Sequence, residues 1–162
     1  MDSSKQPGHT PLSVCHFYRT VCDLPAEVHP PHLGRITLRA GRVCALMMPA
    51  FIGAEVKARM HRHGQQAGPV LTHPRSRHWT FLTGPDLPDD IRLFAEMSRL
   101  NVSIIRAGDI ALPGPGQRPG LFRAWVQPPR DPYRPPGRVV VEAIRGCAAQ
   151  RARQRRMVRA YA

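Results

Sequence analysis

Apolar residues recur along this chain at two different periods, and the period marks each element. Val14, Tyr18, Val21 and Cys22 share a face at helical spacing. The segment PLSVCHFYRTVCDL is therefore expected to be a helix starting after Pro11 and ended by Pro25, Pro30 and Pro31. RITLRAGRVCALMMP has the pattern of a hairpin, with strands Ile36–Arg39 and Arg42–Met48 about a turn at Ala40-Gly41. Pro49 then leads into a helix from Ala50 to about His63, with Phe51, Val56 and Met60 on its inner face and Gly64 closing it. A second hairpin is predicted from Pro69–His73 and Arg77–Thr83, turning at Pro74-Arg75-Ser76. A helix follows, capped by Asp86, with Pro88, Asp89 and Asp90 in its first turn and its end at about Leu100. Ile91, Phe94 and Met97 give its apolar stripe, with Leu93 and Leu100 beside it.

VSIIRAGDIAL predicts a third hairpin, turning at Ala107-Gly108-Asp109, and LFRAWV predicts one more strand. Between them LPGPGQRPG reads as a flexible loop. QPPRDPYRPPGR reads as extended surface chain, and a helix is expected from about Val139 onward. Hairpins separated by helices imply an α+β fold, a mixed or antiparallel sheet built from hairpins with helices packed against it. The expected organisation is a disordered stretch over 1–10, a single domain over 11–144 and a basic helix or tail over 145–162.

Charge narrows the partners. The formal net charge is +13, which favours DNA or RNA, or an acidic protein surface. Only Lys5 and Lys57 are lysines, a skew that fits a high-G+C coding sequence and carries no argument for guanidinium chemistry. The longest apolar run, Val43–Ala54, is too short to span a bilayer and contains Pro49. The first residues lack the apolar stretch of a signal peptide. A cytoplasmic location, open to nucleoid association, is the matching expectation. Cys15, Cys22, Cys44 and Cys147 form no Cys-x-x-Cys pair and are expected to be free thiols.

Four groups of residues bear on chemistry. Cys15, His16, Cys22, His29 and His32 have zinc-type side chains, but the spacing Cys-x6-Cys-x6-His-x2-His fits no common site, and two helical turns between the cysteines favour the core. The glycine-rich loop lacks the Gly-Lys-Ser/Thr of a phosphate cradle. The arginine tail, including Arg151, Arg153, Arg155 and Arg156, can neutralise phosphates and release counterions. THPRSRHWTF combines Arg75, Arg77 and His78 at a turn, where an anion can be gripped. Strand alternation sends Arg77, Trp79 and Phe81 to one face and His78 to the other, and Trp79 can either stack on a base or pack in the core.

The segment from Arg35 to Pro115 resembles the N-terminal domain of bifunctional DNA primase–polymerases, in the archaeo-eukaryotic primase superfamily. GRVCALMMPA takes the place of the family's Asp-x-Asp strand, HPRSRHWTF that of its histidine hairpin, and NVSIIRAGDIALPGPG that of the strand with the third acid. The resemblance implies that His78 contacts nucleotide phosphate. It puts Leu46 and Met48 where the metal-binding aspartates belong, and Asn101 or Ser103 near the third acid. Magnesium takes oxygen ligands, which leucine and methionine do not offer. The expectation is therefore a degenerate, non-catalytic member with no metal or other cofactor, binding nucleic acid through Arg75, Arg77, His78, Trp79 and the tail arginines. The competing expectations are a regulatory module docking an acidic partner of the transcription or replication machinery, and an active nucleotidyltransferase.

Overall fold

The computed structural model describes residues 7–116 and 122–161. The chain order is α1 (Pro11–Thr20), β1 (Ala26–Val28), β2 (Ile36–Arg39), β3 (Cys44–Pro49), α2 (Ala50–Arg62), β4 (Val70–His73), β5 (His78–Thr83), α3 (Ile91–Arg99), β6 (Ser103–Ile105), β7 (Asp109–Leu112), β8 (Ala124–Gln127) and α4 (Gly137–Ala160). The α+β class expected from the sequence is what the chain adopts. Five strands form one antiparallel sheet in the order β6-β3-β5-β4-β8, and three form another in the order β1-β2-β7.

The larger sheet lies between two cores. Leu46, Met48, Val70 and Phe81 point to one face, where α2, α3 and α4 cover them with Ile52, Val56, Met60, Leu93, Met97, Val140 and Ile144. Ala45, Leu71 and Leu82 point to the other face, against α1 and the small sheet. This explains β3: buried on both faces, it reads as a continuous apolar run, the pattern of a central strand.

Of the three expected hairpins, only β4–β5 pairs with itself. β2 pairs with β1 and β7, whereas β3 pairs with β5 and β6, so the segment 36–48 crosses from one sheet to the other. β6 and β7 likewise belong to different sheets. The two crossings meet at one corner, where the Ala40 amide donates to the Gly108 carbonyl at 2.8 Å. Turn residues fix where the chain bends and leave open whether it bends within a sheet or out of it. The covering demanded by both faces of β3 decides for the latter.

Some helix faces also differ from expectation. Phe51 is exposed on α2, where Ile52 and Gly53 face inward instead. In α3, Ile91 is exposed, while Leu93 and Met97 are buried. The cap of α3 is Asp90, whose carboxylate accepts from the Arg92 amide at 2.8 Å. Asp86 serves another helix: α4 begins after Pro136 with no side-chain cap of its own, and Asp86 accepts hydrogen bonds from the Gly137 and Arg138 amides. The proline-rich segment is anchored to the body. Pro135 packs on Gly68, and Arg134 bonds the Cys22 and Asp23 carbonyls and the Asp23 carboxylate.

The expected boundary at residue 145 falls inside one unbroken helix. Cys147 is buried in the helix-side core, and residues 152–160 of α4 are exposed beyond it. Residues 1–6 of the expected disordered stretch, 117–120 of the glycine-rich loop and 121 of the strand expected after it lie outside the described residues.

Candidate nucleic-acid interface

The β4–β5 hairpin turns through Pro74–Arg77, with Arg77 in the left-handed region at φ 53°. Arg75 and Arg77 are exposed there. His78 pairs directly across the hairpin with His73 and, on its other side, with Pro49 of β3. Its Nδ1 lies 2.6 Å from the Ser76 carbonyl; this bond requires the proton on Nδ1 and leaves Nε2 as an acceptor on a half-buried ring.

Beside the turn lies a cleft of about 310 Å³, lined by His73, Arg75, Ser76, Phe122 and Arg123 together with Pro74. Arg123 arrives from the edge: β8 pairs with β4, and Thr72 stands opposite Ala124, the residue after Arg123. The Arg123 Nε–H donates to His73 Nδ1 at 3.2 Å, and His73 Nε2 lies 3.0 Å from the Thr80 hydroxyl. Accepting at Nδ1 fixes the neutral tautomer with hydrogen on Nε2. Burial holds the His73 pKa down at about 4, and the Arg123 and His78 charges push the same way. The lining contains no carboxylate. Exposed guanidinium groups, a neutral imidazole and the exposed Phe122 ring are what a phosphate with its sugar or base would meet.

The arginine end of α4 reaches the same end of the sheet. α2 and α4 run antiparallel: Arg59 of α2 lies against Gly146, and Glu55 bonds Arg151 at 3.0 Å. Arg151 also stands 6.0 Å from the centre of the Phe51 ring, at the first turn of α2. The amide of the adjoining Ala50 donates to the Arg77 carbonyl at 2.8 Å. This chain of contacts runs from the hairpin to Arg151, and Arg153, Arg155, Arg156 and Arg159 lie on the exposed turns just beyond. Among the described residues, Glu55 is the one acid paired with this stretch. Asp86, Asp89, Glu96 and Glu142 pair with Arg138, Arg106 and Arg145 elsewhere.

Trp79 takes the core alternative. It faces α2, and a Cβ on Gly53 would stand 2.9 Å from its ring, so its face is occupied. Leu46 and Met48 are fully buried on the helix side, paired with Phe81 and Trp79, while His78 pairs with Pro49 and points to the opposite face. His78 therefore shares no cleft with these two positions. The face that carries His78 is covered farther along by α1 and the small sheet.

Cys15 and Cys22 are buried, and burial pushes both thiols up, Cys22 to about 11. The Cys15 thiol donates to the Ala26 carbonyl at 3.1 Å. Among the described residues no three His, Cys, Asp or Glu side chains converge as a metal site would require. No helix of the described residues is long and apolar enough to cross a membrane. His73, Phe122 and Arg123 were missed as a group, because the contact joins residues 50 positions apart through an edge pairing that leaves no local pattern. Comparison with family models, curated proteins and solved structures returns no match to this chain.

Proposed function

We propose that this protein is a non-catalytic nucleic-acid-binding domain. The sugar-phosphate chain runs over the β4–β5 hairpin cleft and on to the projecting arginine turns of α4. The observation that carries the reading is that these two basic elements are joined through the start of α2 at one end of the sheet, with a carboxylate-free cleft between β4 and Arg123. Arg75, Arg77 and Arg123 hold phosphates, His78 supplies Nε2 as an acceptor for a sugar hydroxyl or a base amino group, and Phe122 packs on a sugar or base. Arg153, Arg155, Arg156 and Arg159 add sequence-independent attraction. Trp79 has no part in contact, since its ring packs on Gly53.

The non-catalytic part of the proposal rests on Leu46 and Met48. Both are sealed in hydrocarbon on the face away from His78, so the primase–polymerase resemblance is proposed for the order of elements alone and supplies no reaction. The test is direct. Labelled single- and double-stranded DNA and single-stranded RNA are titrated with the full chain near physiological ionic strength, followed by fluorescence anisotropy. Saturable binding that weakens steeply with salt supports the reading. Absence of binding to all three removes it.

A further inference from the structure

We propose that Trp125 of β8 and the facing side of α1 form a separate pocket for a small planar apolar ligand with one anionic group. The pocket is about 490 Å³, within the range that encloses a small molecule. Val14, Phe17 and Tyr18 of α1 and Trp125 of β8 make its floor, prolines from the flanking loops make its walls, and Arg130 stands at its rim.

The polar atoms of the floor are already paired. Trp125 Nε1–H donates to the Tyr18 hydroxyl at 2.8 Å, and that hydroxyl donates to the Pro113 carbonyl at 2.8 Å. The two rings meet edge to face, 5.8 Å between centres. Proline walls are stiff and have no N–H to donate. The floor therefore offers hydrocarbon and ring surface, with no unpaired donor for a sugar or a base edge. Arg130 is the one charged residue of the lining, exposed and without an ion-pair partner among the described residues. Flat rings match the rigid walls, and a carboxylate or sulfonate at one end matches Arg130. The inference is independent of the nucleic-acid reading, because neither Arg75 nor Arg123 lines this pocket.

The chain has two tryptophans, which makes the test internally controlled. Their indole N–H resonances are followed by NMR as the full chain is titrated with naphthoate and, separately, with its neutral amide. Trp79→Phe assigns the two signals. The Trp125 signal is expected to shift saturably while the Trp79 signal, on the far face of the sheet, stays still. Arg130→Ala is expected to weaken naphthoate by roughly two- to fivefold, the range for an exposed ion pair, and to leave the amide unchanged. Three results would each overturn the proposal: no saturable shift at millimolar probe, equal shifts at both indoles, or an Arg130→Ala variant that weakens acid and amide alike or neither.

Discussion

Replacing Arg75 and Arg123 together with glutamine tests the cleft at the two arginines that line it. Both side chains are exposed, so the change leaves the cores intact, and glutamine keeps a donor near His73. If each arginine neutralises one phosphate of a single strand, the slope of log K against log salt becomes shallower by about 1.4. At about 0.1 M monovalent salt that difference corresponds to roughly 25-fold weaker binding, and for duplex DNA to roughly 60-fold. Near 1 M salt the variant and the parent protein converge, because counterion release no longer contributes. The assay is anisotropy of a labelled oligonucleotide of about 20 nucleotides across a salt series. An unchanged slope would refute the cleft as a phosphate site. So would a loss of affinity that persists undiminished at high salt, since that would point to damaged packing.

Three further outcomes concern the scaffold and its protonation. Asp86→Ala leaves the Gly137 and Arg138 amides without their acceptor and is expected to cost about 1 kcal/mol, at most about 2, in urea unfolding; Asp86→Asn should retain most of it. Tyr18→Phe leaves the Trp125 indole N–H and the Pro113 carbonyl without the hydroxyl that joins them, for an expected loss of about 1–3 kcal/mol by the same measurement. The His73 pKa is depressed to about 4 in the folded chain, so the neutral ring contributes stability above the unfolded value near 6.5, and this is lost as pH falls toward 4. With a half-exposed ring the contribution is about 1–2 kcal/mol, and His73→Gln should flatten stability against pH between about 6.5 and 4.

The sequence made the elements legible more readily than their partners. Helical spacing in α1 and the run of acids before α3 located those helices, and strand alternation correctly separated Trp79 and Phe81 from His78. It gave no warning that β2 and β3, or β6 and β7, would part into different sheets, because Gly41 and Gly108 serve a hairpin and a corner equally well. Ile91 and Phe51 were assigned inward by spacing alone, but their neighbours Leu93 and Ile52 make the contacts, a rotation of the helix that only the packing partner decides. Arg75, Arg77 and His78 were visible as a turn cluster. The approach of Arg123 to His73 needed the pairing of β8 with β4. The nearness of Arg151 to the hairpin needed the antiparallel stacking of α2 and α4. These are long-range facts, and local periodicity carries none of them.

The claim on which the account turns is that the hairpin and the arginine end of α4 act as one phosphate-binding surface. It is tested most directly by the salt dependence of single-strand binding to the unaltered protein, from about 0.05 to 0.5 M. With Arg75, Arg77 and Arg123 engaged together with at least one α4 arginine, the slope should be about −3 or steeper. A slope shallower than about −1, or no measurable binding at the lowest salt, would contradict it.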